Sequence, residues 1–172
     1  RFEEAEHYAR HALSIKNQPE RLAQLGWFLL AQDKWEAAAE QLAQALSQQP
    51  KNAETRSQLA TALQKLGRRD EALKVLSGGL ALSENTPALL QQRVRLLLEL
   101  RQPDDARETV ERLLFLAPDD VTSHTLASVV FENNGELLAA SDHAEKAVAC
   151  DDTSADAWRA LAQVRIRQER LS

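Results

Sequence analysis

The stretch Ala53–Thr86, AETRSQLATALQKLGRRDEALKVLSGGLALSENT, decides the fold. Leu59, Ala60 and Leu63 fall on one face of a helix and Gly67 interrupts it. Asp70-Glu71-Ala72 then opens a second helix carrying Leu76, Gly79, Leu80 and Leu82. The pattern is helix, short turn, helix, and it recurs at a spacing of 34 residues in both directions. Forward, Pro87–Asp120 carries Val94, Leu97, Ala106, Val110, Leu113, Leu114, Leu116 and Pro118. One step further, Val121–Ser154 carries Ser128, Phe131, Gly135, Ala140, Ala144, Ala147 and Val148. Backward, Pro19–Asn52 carries Leu25, Gly26, Leu29, Ala38, Leu42, Ala45, Leu46 and Pro50.

Residues 1–18 match the second helix of a copy through Phe2, Ala5, Ala9, Ala12, Leu13 and Ile15, and residues 155–172 match a first helix through Trp158, Leu161 and Ala162. The reading is therefore an all-α array over residues 1–172, with full copies 19–52, 53–86, 87–120 and 121–154, two half copies and about ten helices. Composition agrees, since Ala, Leu, Gln, Glu and Arg dominate while Gly and Pro number five each. Turn chemistry agrees as well. Thr86 before Pro87 reads as an N-cap before N1, Asn52, Asp120 and Ser154 precede the other first helices, and Asp70 and Asp104 are placed to cap second helices.

Small residues recur at two positions of the copy, Gly26, Ala60, Val94, Ser128 and Ala162 at the eighth and Ala5, Ala38, Ala72, Ala106 and Ala140 at the twentieth. There the two helices must approach closely, and a long side chain would hold the backbones apart. Val94 departs from this and predicts a wider hairpin. Together with the early large apolar residue, the Leu-Gly or Leu-Ala pair and the closing Pro, these positions resemble the tetratricopeptide repeat family along the whole chain. The resemblance implies antiparallel hairpins stacked into a right-handed superhelix, an α-solenoid in which each copy buries its apolar stripe against the next. Trp158 and Phe2 would then lie at ends that ask to be covered, which reads as a segment of a longer array or as ends that pair between molecules.

The resemblance also assigns faces, with the first helix of each copy lining a concave groove. It contributes Gln24 and Trp27 from the first full copy, Gln58, Thr61 and Lys65 from the second, and Gln91, Gln92 and Arg95 from the third. Thr125, Leu126 and Val129 come from the fourth, and Arg159 closes the groove. Its middle is rich in amides and hydroxyls, suited to an extended peptide backbone, with Trp27 at one end and Leu126 with Val129 at the other as apolar anchors. Trp27 reads equally as a side chain packed under the preceding helix. Trp35 and Trp158 fall on the family's packing positions. The clamp with which some members grip chaperone tails needs Lys, Asn and Arg where this chain has Ala23, Trp27, Gln58, Ala88 and Gln92, so that partner is not expected.

The function expected from this pattern is a protein-interaction scaffold, with a protein or peptide partner and no enzymatic activity. The alternatives are a spacer or self-assembling segment of a larger scaffold, such as those of bacterial secretion or envelope assembly, and the regulatory arm of an enzyme whose catalytic domain lies elsewhere. No Gly-rich phosphate loop, nucleophile elbow or paired-carboxylate motif is present, and no cofactor is expected. A formal charge of -5 and the groove carboxylates Glu20, Glu54, Glu99, Glu132 and Asp156 argue against nucleic acid. His7 and His11 stand four apart on a helix but on its solvent side, His124 and His143 read as isolated, and no metal site is expected. Gly78 and Gly79 inside a second helix read as close packing or as a hinge. No apolar run of about 20 residues occurs and the single Cys150 excludes an internal disulfide, so the compartment stays open, cytoplasm or periplasm if the source is bacterial.

Overall fold

The computed structural model describes residues 18–81 and 86–170. Among the described residues it contains nine helices and no strand. They are α1 (Pro19–Leu30), α2 (Trp35–Gln48), α3 (Ala53–Lys65), α4 (Arg69–Ala81), α5 (Pro87–Glu99), α6 (Pro103–Leu116), α7 (Val121–Asn133), α8 (Leu137–Cys150) and α9 (Ala155–Glu169). Phe2, Ala5, His7, Ala9, His11, Ala12, Leu13, Ile15, Leu82 and Leu171 lie outside the described residues. The chain divides into two compact units between Leu89 and Leu90, the first holding α1 to α4 and the second α6 to α9 with most of α5. In the first unit α1 packs on α2, α2 on α3 and α3 on α4, and α1 also meets α3. In the second, α6 packs on α7, and α7 and α8 pack on each other and on α9.

Each hairpin turns in the same way. Asp33, Gly67, Arg101 and Gly135, spaced 34 apart, all adopt left-handed backbone, with φ of 57°, 75°, 55° and 80°. The amide that follows each of them reaches back across the turn. Lys34 N donates to Leu29 O, Arg68 N to Leu63 O, Gln102 N to Leu97 O and Glu136 N to Phe131 O, at 2.8 to 3.0 Å. This closure satisfies carbonyls that the helix end would otherwise leave without partners. Glycine adopts the left-handed region without penalty, whereas a side chain there costs about 1–2 kcal/mol. Arg101 is exposed, so Arg101→Gly is expected to stabilise the second unit by about 1 kcal/mol, read as a shift of the urea midpoint at unchanged slope.

Three of the first helices carry side-chain caps. Asn52 Oδ1 accepts from Thr55 N at 3.0 Å, Asp120 Oδ2 from Ser123 N at 2.7 Å, and Ser154 Oγ from Ala157 N at 3.3 Å. Asp104 does not cap its second helix, because Gln102 holds the N-cap position of α6 and makes no side-chain cap bond. Asp104 and Asp70 instead sit inside the first turns of α6 and α4, where a carboxylate complements the positive end of the helix dipole.

The core follows the small-residue positions. Ala38, Ala60, Ala72, Val94, Ala106, Ser128 and Ala140 are wholly buried, interleaved with Leu25, Leu29, Leu42, Leu76, Leu90, Leu97, Val110, Leu113 and Val130. Gly26 lies against Leu42 so closely that a Cβ there would stand 2.5 Å from Leu42 Cγ. Helix α4 continues through Gly78 and Gly79, and a Cβ at Gly78 would meet the Arg56 guanidinium at 3.4 Å, an ordinary contact.

The fourth position of the copy departs from expectation. Leu22 and Leu90 fill it with apolar bulk, but Arg56, His124 and Trp158 occupy it in the other copies. In each of these three the side chain reaches the carbonyl six residues earlier. Arg56 Nη2 donates to Pro50 O, His124 Nε2 lies 2.8 Å from Pro118 O, and Trp158 Nε1 donates to Asp152 O at 2.8 Å. The residue thus ties the start of a first helix to the preceding turn. Trp158 was expected to be packed and is 51% exposed, its indole N–H held on the Asp152 carbonyl.

Candidate functional site

In the first unit, helices α1 and α3 border a cleft of about 670 Å³ lined by Glu20, Ala23, Gln24, Trp27, Phe28, Asn52, Glu54, Thr55 and Gln58. Trp27 is 48% exposed, and its ring meets Phe28 edge to face at 5.1 Å between centroids. The structure brings together Gln24, Trp27 and Gln58 of the expected groove and adds Phe28. Two carboxylates, Glu20 and Glu54, share the wall with this aromatic pair. Gln49 donates its side-chain amide to Glu20, and Gln58 donates to Glu54 at 3.3 Å. Thr61 and Lys65 are not part of the cleft wall. Thr61 donates its hydroxyl to Ser57 O at 3.0 Å, and the Lys65 ammonium stands 5.9 Å from the ring centre of Trp35, which is half-buried.

In the second unit a cleft of about 260 Å³ gathers Arg95 from α5, Thr125, Leu126 and Val129 from α7, and Arg159 and Gln163 from α9. Leu126 was expected as an exposed anchor and is only 7% exposed, so it forms floor and leaves the half-buried Val129 as the accessible apolar surface. Arg159 pairs with Asp156 at 2.8 Å, and Arg95 is exposed. Gln91 and Gln92 do not line this cleft, and Gln91 donates to Asp120 Oδ2 at 3.0 Å. Thr125 donates its hydroxyl to Val121 O at 2.7 Å. The expected polar floor is therefore partly consumed by the helices themselves: the hydroxyl protons of Thr61 and Thr125 go to carbonyls four residues back. What these groups offer a ligand is chiefly acceptor oxygen, with the guanidinium groups of Arg95 and Arg159 as donors.

Sequence reasoning treated His124 and His143 as isolated, and the structure corrects this. Their Nδ1 atoms lie 3.1 Å apart across α7 and α8, with ring centres 5.3 Å apart and planes 26° from parallel, so the rings meet edge to edge. The Phe131 ring lies parallel to that of His143, with centres 5.2 Å apart and planes 6° from parallel. Burial holds the His143 imidazole below its usual pKa, and the charge of His124 adds to that. Spacing was the missed signal, because the two histidines stand 19 residues apart, as do Arg56 and the Val75 carbonyl to which it donates at 2.9 Å. These are facing positions of one hairpin. No group of three or more His, Cys, Asp or Glu arranged to hold a metal occurs among the described residues, and no described helix is long and apolar enough to cross a membrane.

Hairpins closed by one repeated turn, stacked with first helices along a cleft in each unit, define an all-α helical-repeat scaffold. Tetratricopeptide repeat models match residues 29–92 and 92–155, and the chain belongs to the tetratricopeptide repeat family. Solved structures with this fold include MamA from Desulfovibrio magneticus RS-1, at 20% identity and a TM-score of 0.78, covering 88% of this chain and 85% of that one. A thermophilic tetratricopeptide protein of Thermus thermophilus aligns at 21% identity and a TM-score of 0.71, over 96% of this chain and 91% of that one. YrrB, described as having an unusual peptide-binding site, aligns at 20% identity and 0.77, over 92% and 82%. No curated protein matches the chain.

Proposed function

We propose that the chain is a non-catalytic interaction scaffold whose first-helix clefts each hold a segment of a protein partner. The observation that carries this reading is the exposed Trp27 beside Phe28 in the cleft of the first unit. An indole left half open to water inside a concave wall is a ready anchor for an apolar side chain, since it offers a large contact area with little rotamer entropy to lose. Glu20 and Glu54 on the same wall favour a segment in which a bulky apolar residue is flanked by Lys or Arg. In the second unit Arg95 and Arg159 around Val129 suit a segment with an acidic or carbonyl-rich stretch. The negative net charge supports a protein partner over a nucleic acid.

Selection from a random peptide library tests this. Peptides retained by the full chain are expected to carry an aromatic or large aliphatic residue next to a basic one, with Kd in the micromolar range. Trp27→Ala is expected to weaken such a peptide by about tenfold or more, or about 1.4 kcal/mol, with the helical circular dichroism unchanged. Selected peptides that bind Trp27→Ala as tightly as the parent chain would remove the anchor from the account.

A further inference from the structure

We infer that His124 and His143 form a two-histidine site for a borderline divalent transition metal, with zinc as the reference ion, bridging α7 and α8 of one hairpin. The geometry begins at Pro118. Its carbonyl oxygen only accepts, so His124 Nε2, 2.8 Å away, carries the ring's proton and His124 Nδ1 presents a bare lone pair. An imidazole whose distal N–H is fixed on a backbone carbonyl is oriented as metal-binding histidines are, with tautomer and ring plane set before the ion arrives. The lone pair points at His143 Nδ1, 3.1 Å away, which donates its proton to it.

Two nitrogens bound to one tetrahedral zinc at about 2.0–2.1 Å stand about 3.3 Å apart, so the observed 3.1 Å needs a few tenths of an ångström of adjustment together with a turn of the rings that brings the two lone pairs from facing each other to converging on the ion. The Phe131 ring lies parallel to that of His143 with its centre 5.2 Å away, and Phe131 is itself nearly buried. When the ion binds, the His143 Nδ1 proton moves through solvent to the Nε2 of the same ring. Both Nδ1 lone pairs then face the metal and no net proton is released. Access comes from an open cleft of about 470 Å³ that both histidines line together with Pro118, Asp119, Lys146 and the exposed Cys150. The Lys146 ammonium there is engaged by Asp142 at 2.7 Å, which blunts its repulsion of a cation. With two protein ligands, the remaining positions on the metal belong to water or to a small ligand from solution. The affinity belongs in the micromolar range, and occupancy would pin α7 to α8 and raise the thermal stability of the chain.

Zinc titration of the full chain by calorimetry tests this, run beside a His7→Ala/His11→Ala variant so that the amino-terminal pair cannot supply the signal. The expected result is one zinc per chain in both proteins. His143→Phe, which keeps an aromatic ring against Phe131, is expected to lower the affinity by about tenfold or more at unchanged helicity, and Cys150→Ser to leave it unchanged. Long-range proton–nitrogen spectra should show both Nδ1 nitrogens shifting on zinc addition and the proton of His143 moving to Nε2. Absence of micromolar binding in the His7→Ala/His11→Ala variant overturns the site. So do unchanged affinity in His143→Phe, a comparable loss in Cys150→Ser, or zinc-bound spectra in which the two Nδ1 nitrogens do not move.

Discussion

Arg56→Ala is expected to destabilise the first unit by about 3 kcal/mol. Arg56 sits where Leu22 and Leu90 fill the equivalent place in other copies, and it is only 5% exposed. Its stem replaces their apolar bulk while its guanidinium donates to Val75 O at 2.9 Å and to Pro50 O. Truncation removes both contributions at once. It leaves a cavity on α3 and two carbonyls without their guanidinium donor, each shortfall worth about 1–3 kcal/mol. Arg56→Leu separates the two, because it restores the volume used in the sister copies and loses only the donors. It is expected to cost about 1 kcal/mol. Urea unfolding monitored by circular dichroism reads both changes, and equal losses in the two variants would show that the carbonyl contacts alone matter.

Gly26→Ala is expected to destabilise by about 2 kcal/mol even though alanine is the better helix former. In an exposed helix this exchange gains roughly 1 kcal/mol. Here the new methyl would stand 2.5 Å from Leu42 Cγ and 2.7 Å from Cδ2, far inside van der Waals contact, and Leu42 is itself wholly buried. The branch carbon of a packed leucine cannot step aside without moving its neighbours, and overpacking of this kind costs about 1–3 kcal/mol. The diagnostic is a reversal of sign. In a Leu42→Ala background the methyl enters the space the leucine vacated, and Gly26→Ala should then stabilise by about 1 kcal/mol. A double-mutant cycle measures this coupling, and additive effects would mean that the hairpin does not owe its close approach to Gly26.

The hairpins were legible because their determinants are local and repeated. A 34-residue apolar pattern, a small residue where helices touch and a capping Asn, Asp or Ser before a first helix can each be read from the sequence without knowing what lies opposite. The caps at Asn52, Asp120 and Ser154 form as their chemistry requires. The left-handed turn at Asp33 and Arg101 was hidden because neither residue is glycine, and only the 34-residue spacing to Gly67 and Gly135 reveals it. Arg56 and His124 were hidden for a different reason. A polar residue at an apolar position reads as a break in the pattern until its partners are known, and those partners are backbone carbonyls and a histidine 19 residues away. Of the cleft linings, the sequence pointed to Gln24, Trp27 and Gln58 in the first and to Arg95, Thr125, Leu126, Val129 and Arg159 in the second. It overstated the polar groups left for a ligand, because where a threonine hydroxyl sends its proton depends on the helix around it.

The central claim is that partners enter the clefts bordered by first helices. Titrating the isotope-labelled chain with a selected peptide, while recording amide and indole shifts, tests it most directly. The account predicts changes centred on the Trp27 indole and on the amides of Ala23, Gln24, Asn52, Glu54 and Gln58, which line one cleft from α1 and α3. Changes confined to the second helices α2 and α4, with the Trp27 indole unmoved, would contradict it.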